Sequence, residues 1–448
     1  MTGFRALHRI SRPGALRQWL DRDRPEAALP LAWRCFQLGA LFVASSALVA
    51  GVLLLVALIA GSRQHRSWWA DGANRVLALV AVLMLLGAVQ ATLPAFALPG
   101  YPPALAWLGL FNWLPFFWAF WAFQPYLATE AARRRVAQWL VAGTVPVLIT
   151  GVGQMALGWH GPWQILGGAV IWHLRAGGNP PGRLAGLFDY ANITAAWLAL
   201  SWPLLLAALL DTGRRWRQRL RGAGRSLAVV LGLVLVQAAC LFLTDSRNGW
   251  GALLLALPIV LGPRSWLWLL PLLLIGLIPV LLATIPSVPP LLQEPARNLV
   301  PQSIWGRLND FNSNGQRPQA ITRLSQWAVA VGLIAEHPWL GWGAAAFSVI
   351  YPLRTGFWHG HTHNIALDLA ISHGWPAALL VVGLVLWLMI RAVRLGMAAG
   401  AVYERGWWAA ALLLIALHAS DIPMYDSRIN IAGWILLAGL RCRRPAQA

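Results

Sequence analysis

Residues 248–285 read NGWGALLLALPIVLGPRSWLWLLPLLLIGLIPVLLATI, a stretch whose only charge is Arg264. On either side of that arginine, the apolar runs 248–262 and 266–285 approach the about 20 residues a helix needs to cross hydrocarbon. Two such runs joined by a short arginine-bearing turn describe a polytopic membrane protein rather than a soluble core. The whole chain agrees: 448 residues, 58% apolar, 11% charged, with a mean hydropathy of +0.59. That balance excludes a soluble globular class.

Working outward, similar runs occupy 31–45, 46–61, 76–94, 105–128, 136–157, 188–210 and 226–244, and then 376–397, 407–420 and 429–440. The expected fold class is an all-α polytopic membrane protein with about 12 transmembrane helices. Residues 31–61 can be read as one long tilted helix, but Ser45 and Ser46 suggest a tight hairpin. The charges favour the hairpin. The chain has no lysine, so its 35 basic residues are all arginine. With twelve crossings and a cytoplasmic N-terminus, 26 arginines fall inside and 9 outside, while the acids split 7 and 8. Enrichment of arginine in short cytoplasmic loops is the usual orientation signal, and an odd number of crossings would reverse it. Both termini are therefore expected in the cytoplasm, the first apolar run acting as a retained signal anchor.

A net charge of +20 could suggest nucleic acid, but these charges flank membrane helices and face anionic lipid headgroups. No nucleic-acid partner is expected; membrane lipids are. Many of the 28 tryptophans stand near helix ends, among them Trp68, Trp69, Trp113, Trp407 and Trp408, as in interfacial belts. Cys35, Cys240 and Cys442 are scattered without CxxC spacing, against a disulfide or a thiolate metal site.

Three regions follow: N-terminal helices 1–9 (1–285), a long outer loop (286–375) and C-terminal helices 10–12 (376–448). The long loop opens on Pro286, Pro289, Pro290 and Pro295, continues through Asp310, Asn312 and Asn314, and carries an amphipathic helix over 320–336 ending near His337. A shorter outer loop, 158–187, is rich in Gly and Pro.

Four outer-face segments concentrate polar residues beside membrane helices: Gly182–Thr194 (GRLAGLFDYANIT), Thr244–Gly249 (TDSRNG), Trp358–Asp368 (WHGHTHNIALD) and Asp421–Asn430 (DIPMYDSRIN). Ionisable groups at such depths are costly unless they meet a cavity or a partner. Arg183 and Arg247 have the planar, permanently charged fork suited to phosphate oxygens, or each snorkels to headgroups, or pairs with Asp189 and Asp245. His359, His361 and His363 alternate, so an extended segment would point all three to one side, as a metal cluster requires. With no cysteine near and Asp368 the only carboxylate close in sequence, the other reading is a single histidine acting as general base. Asn364 before an apolar run marks a helix start. Asp21-Arg22-Asp23 has the spacing of a metal-bound nucleotide-sugar motif but lies on the cytoplasmic side, away from these groups.

Arg183 to Asn192 (RLAGLFDYAN), Thr244 to Asn248 (TDSRN), Glu336 to Gly343 (EHPWLGWG) and His361 to Asn364 (HTHN) together resemble the O-antigen ligase/polymerase superfamily. The closing DIPMYDSRIN looks like a subgroup, some of whose members carry a bicarbonate-transporter label. The resemblance implies a metal-independent, cofactor-free membrane glycosyltransferase of the GT-C type. Its donor would be an undecaprenyl-diphosphate-linked polysaccharide and its acceptor lipid A–core, at the periplasmic face of a bacterial inner membrane. It implies Arg183 and Arg247 as diphosphate ligands and, less directly, Arg323 as a ligand of the diphosphate or the acceptor. His363, with His361 as runner-up, would be the base, and Asn192, Asn364 and Asp421 would support them. Asp189 and Tyr190 depart from the Gly/Asn-type residues of many ligases, which leaves room for another activity within the superfamily. A polymerase would use much the same residues. An anion transporter would need ionisable groups at mid-membrane, where this chain has few beyond Gln237.

Overall fold

A computed structural model describes residues 15–64, 67–308 and 322–443; Asp310, Asn312 and Asn314 lie outside the described residues. A short helix, α1 (Ala15–Leu20), leads into α2 (Pro30–Phe42) and α3 (Ala47–Gln64). Residues 31–61 are thus a helical hairpin, turning at 43–46. In α4 (Gly72–Thr92) the first turn is capped by Asp71, whose carboxylate accepts the Ala73 amide at 3.0 Å. The run expected over 105–128 is broken into α5 (Ala104–Leu108) and α6 (Leu114–Ala122), with 3-10 turns between and after them. Pro115 and Pro125 stand at the starts of α6 and of the following turn, where a missing amide costs least.

Next come α7 (Glu130–Ala156), α8 (Ala191–Arg217), α9 (Ala223–Leu243), α10 (Arg247–Leu261) and α11 (Trp266–Thr284). The long segment that follows is subdivided into α12 (Pro290–Leu299), α13 (Gln302–Leu308), α14 (Arg323–Glu336) and α15 (Ala346–Thr355). The chain closes with α16 (Ile365–Arg394), α17 (Val402–His418) and α18 (Ser427–Cys442). Among the described residues, seven helices are long and apolar enough to cross a membrane: α4, the α5–α6 pair, α7, α8, α9, α11 and α16. This is a multi-pass membrane protein. The Gly/Pro-rich loop holds the one sheet among the described residues, an antiparallel hairpin of β1 (Trp163–Ile165) and β2 (Val170–Trp172).

Helix α8 is the axis of the bundle, 83% buried over its apolar window, and packs on α7, α9, α10 and α17. Ala195, Ala196, Ala199 and Ala207 let those neighbours approach closely, as small residues do where lipid supplies no hydrophobic drive. A buried ion pair, Arg133 to Glu404 at 2.8 Å with Arg443 at 3.4 Å, fastens α7 to α17 at the end remote from the polar motifs. By contrast α11 is only 11% buried. It packs chiefly on α12 and α13 through Ala283, Ala296, Val300 and Trp305.

Helix α16 begins at Ile365, earlier than the 376 expected, because it contains a break. Gly374 sits at φ 82°, ψ 163°, followed by Pro376. The carbonyls freed above the break are taken by the EHPWLGWG segment: Trp342 and Gly343 donate to Ile371 and Ser372 at 2.7 and 3.2 Å, while Trp375 donates back to Pro338 at 2.7 Å. Irregular backbone inside a membrane protein survives only where protein satisfies it in this way. A Cβ on Gly374 would lie 2.0 Å from the Trp339 carbonyl oxygen, so only glycine fits.

Candidate active site

Three helices start at one place, each after a residue in the left-handed region. Asp189 (φ 60°) precedes α8, Asp245 (φ 49°) precedes α10, and His363 (φ 55°) precedes α16. For a non-glycine residue that conformation costs about 1–2 kcal/mol, so the surroundings must enforce it. The enforcing partner is the short link between α17 and α18. Asn192 donates to Asp421 at 3.2 Å, Asn248 to Ser420 at 2.9 Å, and Asn364 to the Ala419 carbonyl at 3.1 Å. One asparagine from each helix start thus grips three consecutive residues. Asn364 also caps α16, its Oδ1 accepting the Ala366 and Leu367 amides at 3.0 and 3.2 Å.

Arg183 reaches this centre from the loop before α8. Its Nη2 donates to Asn192 Oδ1 at 2.7 Å, and its Nε to the Thr244 carbonyl at 2.8 Å. The loop is itself clamped. Gln154 Oε1 accepts the Ala185 and Gly186 amides, while Arg428 donates to the Leu187 carbonyl at 2.9 Å and lies 4.0 Å over the Phe188 ring. Asp189 does not pair with Arg183; its ion pair is with Arg175 at 3.2 Å. Arg247 is the first residue of α10 and Arg323 the first of α14. Although exposed at the rim, Arg323 has enough protein around its guanidinium to lower its pKa, an effect that Asp421 opposes and Arg247 reinforces. Trp327, one turn further along α14, donates to the Thr362 carbonyl at 3.0 Å and ties α14 to the histidine segment.

Asp421 is the carboxylate at the histidines, not Asp368. Its Oδ1 lies 3.1 Å from His363 Nδ1 and 3.9 Å from His361 Nε2. Burial acts to raise the Asp421 pKa, but the hydrogen bond and charge of His363, helped by His361 and the Ile422 amide, hold it down at about 2. An ionised carboxylate only accepts, so His363 carries its proton on Nδ1, leaving the Nε2 lone pair free. In His361, Nδ1 accepts the His363 amide at 3.1 Å, so that lone pair is occupied. Burial, followed by the neighbouring His363, pushes the His361 pKa down to about 4, keeping the ring neutral. The resemblance ranks His363 ahead of His361 as the base, and the hydrogen bonds give the two rings different roles. His361, His363 and Asp421 also offer donor atoms all within 4.8 Å of one another, a spacing that can hold a cation; His359 is not part of that group.

Other residues behave as the sequence suggests. His337 directly follows α14 and packs at 3.9 Å on the Trp342 ring. Asp21 of the DRD triplet is held by Arg34 at 2.5 Å. Two contributors had no role assigned from sequence, Ser420 and Tyr425; the Tyr425 hydroxyl donates to Asp368. An apolar cavity of about 260 Å3 runs between α16, α17 and α18 and touches Asn364 and Ala419.

Residues 232–382, about a third of the chain, match a family model described as O-Antigen ligase. Over that segment the chain is similar to the O-antigen ligase family. The matched segment holds Arg247, Arg323, His361, His363 and Asn364. Arg183, Asn192 and Asp421 lie outside it and are joined to it by the hydrogen bonds above. None of the curated proteins compared with the chain matches it. The family implies an enzyme of the membrane glycosyltransferase kind, working on lipid-linked polysaccharide and a lipid acceptor.

Proposed function

We propose that the chain is an O-antigen ligase, moving a polysaccharide from undecaprenyl diphosphate onto a sugar hydroxyl of lipid A–core. The observation that carries this reading is the path from His363 through Asp421 and Asn192 to Arg183, which sets a base beside a phosphate-binding cation. The acceptor hydroxyl gives its proton to His363 Nε2 as its oxygen attacks the anomeric carbon. The bond from that carbon to the diphosphate breaks, and the configuration inverts. Arg183, Arg247 and Arg323 stabilise the charge gathering on the departing diphosphate, so the reaction needs no metal. Asp421 fixes the His363 tautomer, while Asn192 and Asn364 hold Asp421 and the histidine segment in register.

The twelve crossings, the cytoplasmic termini and the outer-face site rest on the arginine distribution, and the GT-C type and the periplasm on the resemblance to the family. The apolar cavity beside Asn364 suits an isoprenoid chain entering from the bilayer. Gln237 is committed to the Leu198 carbonyl and the Ser201 hydroxyl, which speaks against a mid-membrane ion site.

The test is deletion of the gene in its host and electrophoresis of the lipopolysaccharide, with wild type, His363→Ala and Arg183→Ala added back. Loss of the ladder, with full-length polymer left on the carrier and rescue only by wild type, is the expected result. A core bearing a single repeat unit would make the chain a polymerase. An unchanged ladder would overturn both, and bicarbonate uptake would then be measured.

A further inference from the structure

The arginines serve one flank of the His361–His363 segment; another flank has a different chemistry. There a pocket of about 290 Å3 opens between Asn112, Gly360 and Tyr425 and is floored by Asp368, Ser372 and His373. The floor residues are 5%, 6% and 3% exposed and come from successive turns of α16. Asp368 accepts the Tyr425 hydroxyl and, at 3.4 Å, the amide of Thr362, the residue between the two site histidines. The floor is therefore coupled directly to the histidine segment.

Neither the Ser372 hydroxyl nor the His373 ring has a hydrogen-bond partner among the described residues, yet both line the pocket. Buried polar groups are almost always satisfied, and those facing a cavity are met by water or a polar ligand. The volume is many times the roughly 30 Å3 that one water occupies. No arginine is in the lining, and its carboxylate is unfavourable for an anion. A carboxylate, a hydroxyl and an imidazole beside the apolar faces of Trp113 and Leu369 suit a neutral ring bearing several hydroxyls.

We propose that this pocket binds a neutral pyranose ring of the acceptor and delivers its hydroxyl to His363. The inference rests on the transferase reading above and deepens it. The diphosphate lies on the arginine flank, the acceptor sugar on the Asp368 flank, and the base between them.

The probe is deacylated core oligosaccharide from the host lipopolysaccharide, titrated against the full chain in nanodiscs, with transfer kinetics alongside. Ser372→Val and His373→Leu remove pocket polarity, and Ser372→Thr matches the valine in size. Each is expected to weaken oligosaccharide binding and raise the acceptor KM about fivefold, the worth of one hydrogen bond, with the donor KM unchanged. Ser372→Thr, which keeps the hydroxyl, is expected to bind as wild type does. Unchanged binding in both variants, parallel rises in both KM values, or equal losses in Ser372→Thr and Ser372→Val would overturn the proposal. Failure of the transferase reading looks different. Wild type would bind the oligosaccharide and the variants would not, but no polymer would be transferred to it; the pocket would then stand without the ligase.

Discussion

Nδ1 of His363 lies 3.1 Å from Oδ1 of Asp421, a residue 58 positions later in the chain. This contact determines which nitrogen of His363 is free to take a proton, and it joins the histidine segment to the end of α17.

Asp421→Asn removes the charge that fixes this tautomer while keeping the shape. Transfer is expected to fall about a hundredfold or more, within the range for losing an effective general base. Thermal melting should move little. A variant retaining near wild-type kcat would remove Asp421 from the mechanism.

His363→Ala and His361→Ala are expected to be unequal. Losing the base costs about 10²–10⁴ in turnover. His361, whose Nδ1 only receives the His363 amide, should cost about tenfold, the worth of one hydrogen bond near a charge. Equal losses, together with inactivation by a chelator, would instead mean that the pair and Asp421 hold a metal ion.

Arg183→Lys keeps the charge but cannot reach Asn192 and the Thr244 carbonyl with two nitrogens as the guanidinium does. Loss of one charge-assisted hydrogen bond, about 1.5–3 kcal/mol, corresponds to about 10–150-fold in kcat/KM for the lipid-linked donor. Binding of the acceptor oligosaccharide should be unaffected, and kinetics with each substrate varied in turn would check this.

Stability should depend on pH through two groups. The His361 pKa is lowered from its ordinary 6.5 to about 4, so between those values the unfolded chain binds the extra proton and stability falls as the medium is acidified. Asp421, held at about 2, contributes stability above its ordinary 3.8 that is lost as pH drops toward 2. The contribution of these two groups to the melting temperature should therefore decline from pH 6.5 downward. His361→Gln should flatten the part between 6.5 and 4, and an unaltered slope in that variant would contradict the assignment.

Gly374→Ala puts a methyl group against the Trp339 carbonyl and a side chain at φ 82°. A loss of at least about 1–3 kcal/mol is expected from the backbone strain alone. Fluorescence-detected size exclusion and melting would register it; wild-type behaviour would mean that the break in α16 is not required.

The apolar runs and the four polar motifs are legible in the sequence because membrane length and arginine bias act locally. Helices stand at the expected positions, with 105–128 divided into two, and among the described residues seven are long and apolar enough to cross a membrane. Asp368 is the carboxylate near the histidines in sequence, but the fold sets Asp421, which only the family resemblance points to, against them. Such a long-range pairing leaves no local signature. The break at Gly374 was equally hidden: Pro376 is tolerated in a first helical turn, so a start at 376 reads naturally. Only the docking of 338–343 against α16 explains why a helix already runs before it.

The grip of Asn192, Asn248 and Asn364 on residues 419–421 also has a temporal side. A ribosome releases the arginines and histidines of the site well before that link, and α18 follows it. During synthesis the nascent enzyme holds its reactive groups without their common anchor. On the transferase reading, the site is complete only once α17 and α18 have paired, and a chain stalled before α18 is expected to transfer nothing.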